Sequence, residues 1–174
     1  MKEQPFPPAK LLLGILSREE APWQEALRLF SRRWKGEVEI ASKPFPFTAS
    51  DYYGKEMGEP LLRRFFLFQG GFPPERLPEV KLFTNRLEER LRLEEGSPGR
   101  VVNMDPGILS LSSLIMATAK NFAHRIPLRN GIYAHLEYTF TRSGPKELEW
   151  TYPDFRQEEY KSFFFQARRL LLVS

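Results

Sequence analysis

The chain contains no cysteine, and this absence excludes several kinds of chemistry. Disulfide bonds, thiolate metal ligands and cysteine nucleophiles cannot form. Long hydrophobic runs are also missing, and no segment approaches the ~20 apolar residues needed to span a bilayer. The short apolar segment at residues 11–16 follows a proline-rich stretch and lacks the cleavage site of an export signal, so the sequence predicts a cytoplasmic protein.

Aspartate is nearly as scarce, with three residues against nineteen glutamates. If glutamate serves wherever a surface carboxylate is needed, the remaining aspartates mark places that need the shorter side chain. This favours a convergent carboxylate site, for a divalent metal or for proton transfer, built from Asp51, Asp105 and Asp154. The alternative is that each aspartate forms a turn or caps a helix, which are common roles for this residue.

Length and composition predict a proline-rich lead-in at residues 1–9 and a single domain at residues 10–174. The order of apolar segments predicts an α+β fold, with a mainly antiparallel sheet packed by three helices and a ferredoxin-like first half. Although the net charge is +4, the basic residues occur as scattered pairs such as Arg63-Arg64. This spacing is typical of solvated surfaces rather than of a tract that binds nucleic acid.

Two turns are predicted in the second half of the chain. Asp105-Pro106-Gly107 suits a type II turn that ends a short strand at residues 100–103. A hairpin follows, with a three-residue loop at residues 129–131 that places Ile126 opposite Ala134. This register puts the apolar side chains from residue 126 to residue 140 on one face and leaves His135 and Glu137 on the other, polar face.

The helix predicted at residues 77–93 carries a polar stripe beside its apolar face, formed by Lys81, Asn85 and Glu88. Such a stripe is most often a solvated surface. It becomes functional only if this face meets the loops of a site.

Six segments together resemble the bacterial family called domain of unknown function 4416. They are Asp-Tyr-Tyr-Gly-Lys-Glu-Met-Gly (51–58), Leu-Phe-Thr-Asn-Arg-Leu-Glu (82–88), Val-Asn-Met-Asp-Pro-Gly (102–107), Ala-Thr-Ala-Lys-Asn-Phe-Ala-His-Arg-Ile (117–126), Gly-Ile-Tyr-Ala (131–134) and Trp-Thr-Tyr-Pro-Asp (150–154). The resemblance covers nearly the whole chain and implies no known reaction. The family pattern has an acid where this chain has His135, which argues against His135 as a shared site residue.

The leading hypothesis is a small phosphate-bearing or nucleotide-like ligand, bound by an acid–base or metal-assisted enzyme or by a binding protein. The candidate catalytic residues are His124, Asp105 and Glu56. The candidate ligand-binding residues are Lys120, Arg125, Tyr52, Tyr53, Asn85, Asn103, Tyr133 and Tyr152. The candidate ligands of a divalent metal are Asp51, Asp105 and Asp154. The hypothesis predicts that Asp105→Asn abolishes binding or turnover and leaves the melting temperature within a few degrees.

Two alternatives come from other functional classes. An RNA-binding module would stack bases on Tyr52, Tyr53, Trp150 and Tyr152 beside Arg63, Arg64 and Arg125. A structural or interaction protein would use the same polar motifs only as turns and caps, and a protein partner or a homo-oligomer stays open. A membrane partner is not expected.

Overall fold

The computed structural model describes residues 2–172, which form one α+β domain. Its strands are β1 (Ala9–Ser17), β2 (Val38–Ala41), β3 (Phe45–Pro46), β4 (Leu62–Phe68), β5 (Val102–Ser110), β6 (Ser113–Thr118), β7 (Ile126–Pro127), β8 (Tyr133–Thr141) and β9 (Gly144–Glu147). Its helices are α1 (Glu20–Trp34), α2 (Asp51–Met57), α3 (Leu77–Glu94) and α4 (Glu158–Arg169). The described part therefore has one short helix, α2, beyond the three predicted. Residues 2–8 have no regular secondary structure.

The first half of the sheet has the ferredoxin-like arrangement. Its strands lie in the order β2-β4-β1-β5, and all three neighbouring pairs are antiparallel. With α1 and α3 as the two connecting helices, this is the βαββαβ unit expected from the sequence. Strand β1 lies in the middle and is buried on both faces, which explains its unbroken apolar sequence.

Two apolar layers cover the two faces of this sheet. On one face, α1 and α3 pack through Phe30 and Val80 against Leu13 of β1. On the other face, α4 packs through Tyr160 and Phe164 against the opposite side of the same strands. Among described residues, no helix is long and apolar enough to cross a membrane.

The predicted turn at Asp105-Pro106-Gly107 is wrong, because these residues lie in the middle of β5. All three pair with β1, while β6 pairs with β5 only from Gly107 onward. Pro106 has no backbone N–H to donate. It is tolerated because its nitrogen faces away from β1, toward the side on which β6 no longer pairs with β5. Gly107 is needed for another reason: a Cβ there would lie 2.6 Å from the sulfur of Met116.

Side chains from α3 bind the edge of β5 that β6 leaves unpaired. The backbone N–H of Met104 donates to Oε1 of Glu88 at 2.7 Å, and Nζ of Lys81 donates to the Met104 carbonyl at 2.8 Å. Because alternate residues of a strand direct both backbone groups to the same neighbour, these two side chains take the place of a missing strand. Lys81 and Glu88 of the polar stripe are therefore buried, and Asn85 between them is half-buried.

The hairpin register is confirmed, but the predicted faces of β8 are wrong. Ile126 pairs with Ala134, and Gly131 has a left-handed φ of 75°. Farther along, a β-bulge shifts the pairing between β6 and β8, so that one extra residue of β8 is accommodated near Glu137. The bulge turns Tyr138 and Phe140 to the same face as His135 and Glu137, which point inward with 1% and 0% exposure. Ile126, on the short strand β7, is 65% exposed.

Candidate functional site

A cavity of about 650 Å³ opens beside the unpaired part of β5. Its walls come from α2 and the segment before it, from α3, from the end of β6 and from the segment that precedes α4. Charged groups of both signs and several aromatic rings line it. This size lies within the usual range for pockets that hold a nucleotide-sized ligand.

Asp105 forms the centre of a buried charge network in the cavity. Its carboxylate lies 2.7 Å from Nη1 of Arg63 and 3.4 Å from Nζ of Lys81. Burial alone would raise the pKa of Asp105, but the charges of Lys81 and Arg63 outweigh it and lower the pKa to about 2. Asp105 is therefore ionised and its charge is compensated within the protein.

Asp154 shares Arg63 but is held less tightly. Its Oδ2 lies 3.7 Å from Nη2 of Arg63 and makes no hydrogen bond within the described part of the chain. Burial raises the pKa of Asp154, and Arg63 offsets this only in part. The two aspartates on either side of one arginine thus have pKa values shifted in opposite directions.

Arg100 organises a second network next to the first. It makes a bidentate contact with Glu56, at 2.8 and 2.7 Å, and donates to Oδ1 of Asn103 at 2.7 Å. The hydrogen bonds from Arg100 lower the pKa of Glu56. Asn103 then donates from Nδ2 to Asp105 at 2.7 Å and links the two networks. Both functional atoms of Asn103 are consequently used inside the protein.

His135 connects the cavity wall to a polar group behind it. Nε of Arg125 donates to Nδ1 of His135 at 3.3 Å, which leaves the ring hydrogen on Nε2, 3.1 Å from Oε2 of Glu137. The ring of His135 stacks on Tyr152, and the hydroxyl of Tyr152 accepts from Nη2 of Arg125. His124 lies one contact farther out, with Nε2 3.2 Å from Nδ1 of His135.

The family model described as domain of unknown function (DUF4416) matches residues 7–170. This chain belongs to the DUF4416 family. A search of curated proteins found no match.

The cavity of this DUF4416 protein gathers most of the residues proposed from its sequence. The predicted residues that line it are Tyr52, Tyr53, Glu56, Asn85, Asn103, Asp105, Lys120, Tyr152 and Asp154. His124 and Arg125 lie immediately behind the wall, in contact with His135. Tyr133 lies outside the lining, where it pairs with Thr118 and Pro127.

The three aspartates do not converge as predicted. Asp51 is exposed at the first residue of α2 and does not line the cavity. Between Asp105 and Asp154 stands the guanidinium of Arg63, in the position that a bridging cation would need. Within residues 2–172, no group of three histidine, aspartate or glutamate side chains could hold a metal ion. The residues present thus do not fit the predicted metal site.

The sequence prediction missed several lining residues, namely Arg63, Lys81, Glu88, Arg100 and His135. A signal for two of them existed, because Lys81 and Glu88 share a helix face with Asn85. Arg63 also had a signal, since a charged residue inside an apolar strand must find a buried partner. His135 was set aside because the family pattern has an acid at its position and because the predicted hairpin placed it on a polar, half-exposed face.

Proposed function

We propose that this DUF4416 protein binds a small, phosphate-bearing, nucleotide-like ligand in the cavity, and that it does so in the cytoplasm. One observation carries the proposal. Two cations, Lys120 in the cavity wall and Arg125 directly behind it, form no ion pair among residues 2–172, and they adjoin an aromatic pocket of nucleotide size. The other cations of the cavity are already neutralised by the networks of Asp105 and Glu56.

Arg125 has hydrogen-bonding capacity to spare for an anion. Its guanidinium carries five N–H groups, of which three are directed to His135, the Lys120 carbonyl and Tyr152. Two N–H groups on the terminal nitrogens remain for phosphate oxygens. The bond to the Lys120 carbonyl, at 2.7 Å, also keeps the two cations on the same side of the cavity.

The rest of the cavity suits a planar ring with polar edges. Tyr52, Tyr53 and Tyr152 supply aromatic surface, and Nζ of Lys120 lies 5.2 Å from the ring centre of Tyr52. Asn85 forms no side-chain hydrogen bond within the described residues, so its amide can both donate to and accept from a base edge. Burial raises the pKa of Glu88, whose Oε1 accepts from the Met104 N–H and whose Oε2 lies 3.4 Å from Nη1 of Arg100.

The geometry supports binding more strongly than catalysis. The carboxylates of Asp105 and Glu56 are occupied by arginine, and His124 does not line the cavity but contacts the lining residue His135. An acid–base reaction, if this protein performs one, is best assigned to Asp154. Its buried Oδ2 has no hydrogen-bond partner among described residues, and its pKa is raised.

The proposal is tested by isothermal titration calorimetry with adenosine monophosphate, adenosine and inorganic phosphate. We expect the monophosphate to bind, and adenosine to bind at least ten times more weakly. Lys120→Met should lower the affinity for the monophosphate by roughly 10–100-fold, because it removes a charge-assisted hydrogen bond worth about 1.5–3 kcal/mol. Lys146→Met is the matched control, since Lys146 is exposed on β9 away from the cavity.

Equal binding of adenosine and its monophosphate would contradict the phosphate assignment. If no guanine, adenine or pyrimidine nucleotide binds, the proposal as a whole fails and a structural or interaction role becomes the better account. The RNA alternative predicts a steep loss of affinity with salt. Its proposed residues do not form one surface, because Arg63 is only 4% exposed and Arg64 lies over Trp23.

A further inference from the structure

Three ring side chains next to the cavity form an exposed surface, which we call the aromatic shelf: Phe122, His124 and Trp150. Phe122 is 63% exposed and Trp150 is 37% exposed, while His124 lies between them. Single exposed apolar residues are ordinary on protein surfaces. Here two large exposed rings both contact one imidazole, so the three side chains form a contiguous aromatic surface.

The shelf is held in place by specific contacts. The rings of His124 and Trp150 are nearly parallel, at 7°, with centroids 5.0 Å apart. The indole N–H of Trp150 donates to the Leu136 carbonyl at 2.9 Å, which fixes that ring to β8. The surface is therefore formed before any ligand arrives, and little conformational entropy would be lost when a ring stacks on it.

The shelf is also continuous with the cavity. His124 contacts His135, which lines the cavity, at 3.2 Å. Between Lys120, which lines the cavity, and Phe122 of the shelf there is only one residue, and Arg125 directly follows His124. The two cations assigned above to phosphate thus lie where the cavity meets the shelf.

We propose that the ligand is a dinucleotide, with one base in the cavity, its phosphate at Lys120 and Arg125, and its second base stacked on the shelf. This inference rests on the function proposed above and names the class of ligand. A mononucleotide would leave the shelf empty. A purely apolar occupant would leave the two cations without a counter-charge.

Charge argues against a second copy of the chain on this surface. Lys120 and Arg125 lie beside it with no ion pair among residues 2–172, and a two-fold interface would bring these like charges together. A phosphodiester carries the opposite charge, and a base supplies the flat face that exposed rings accept. Both requirements are met by one small molecule.

The test compares adenylyl-(3′→5′)-adenosine with adenosine monophosphate by calorimetry on the full chain. We expect the dinucleotide to bind about 5–100-fold more tightly, since stacking of one base on an aromatic side chain contributes that much. Phe122→Ala should reduce the affinity for the dinucleotide to nearly that for the monophosphate, and it should leave the affinity for the monophosphate unchanged. Phe6→Ala is the matched control, because Phe6 is 66% exposed in the irregular residues 2–8.

The outcomes separate the two proposals. If the monophosphate binds and the dinucleotide binds no better, the dinucleotide inference is overturned and the proposed function stands. If neither binds, both fall. If a ten-nucleotide RNA binds more tightly than the dinucleotide with a steep salt dependence, the small-ligand assignment is overturned in favour of RNA. A loss of dinucleotide affinity in Phe6→Ala equal to that in Phe122→Ala would also overturn the inference.

Discussion

The substitution Asp105→Asn is expected to destabilise the fold severely, contrary to what the sequence alone suggests. Asp105 compensates the charges of Arg63 and Lys81, and both of these side chains are buried. Asparagine keeps the shape but removes the negative charge, so two buried cations are left underpaired. Removing one partner of a buried ion pair costs about 3–5 kcal/mol. For a domain of this size the melting temperature should fall by roughly 6–20 °C.

The pH dependence gives an independent check. The pKa of Asp105 is lowered in the folded state to about 2, from an ordinary value of 3.8. Because the pKa is lower in the folded state, the ionised carboxylate of Asp105 stabilises the fold. This stabilisation is complete at pH values above the pKa of the unfolded chain and is lost as the pH falls from about 4 through 2. The contribution is about 2 kcal/mol. Asp105→Asn should therefore lose less stability than the native chain over this interval.

The assay is urea unfolding followed by circular dichroism at neutral pH and at steps down to pH 2. Asp51→Asn serves as the control. Because Asp51 is exposed, this substitution should change the free energy of unfolding by less than about 0.5 kcal/mol. An Asp105→Asn variant within 1 kcal/mol of the native chain at neutral pH would refute the buried-network argument. It would then return Asp105 to the list of residues free to act on a ligand.

Two further substitutions test the fold. Gly107→Ala should lower the free energy of unfolding in urea by about 1–3 kcal/mol, because the new Cβ would lie 2.6 Å from the sulfur of Met116. Gly71→Ala should change it little, because a Cβ there meets nothing within 4 Å. Equal effects of the two substitutions would refute the close approach of β5 and β6. Tyr138→Phe removes a buried hydrogen bond from the ring hydroxyl to a backbone carbonyl and should cost about 1–3 kcal/mol. Tyr133→Phe, on a half-buried ring of the same strand, should stay close to the native chain, and a larger loss there than at Tyr138 would contradict this assignment.

Sequence patterns correctly predicted those parts of the fold in which the local residue pattern is not opposed by contacts with distant segments. The apolar face of α4 is buried as its spacing indicates, with Tyr160 and Phe164 fully covered. The hairpin register followed from the turn residues, since Gly131 takes the left-handed conformation. In both cases local periodicity and tertiary packing demand the same arrangement.

The errors arose where two rules compete. Pro106-Gly107 carries a strong turn signal, but β1 pairs along the whole of β5 and extends it. The alternation along β8 predicted a buried apolar face, but the bulge near Glu137 exchanges the faces. Neither pairing with a distant strand nor a bulge leaves a signal in the local sequence. Most of the proposed site residues therefore line one cavity, while the buried charges beside them, such as Arg63, were not foreseen.

The unpaired edge of β5 limits the kind of molecule that can enter the cavity. Open strand edges invite an extended peptide to add as a new strand. Here Glu88 and Lys81 occupy both backbone groups of Met104, and Pro106 lacks the next N–H donor. A peptide would find no ladder of hydrogen bonds to continue. Recognition at this edge must go through side chains, which selects compact ligands with their own polar groups and protects the protein from edge-to-edge aggregation.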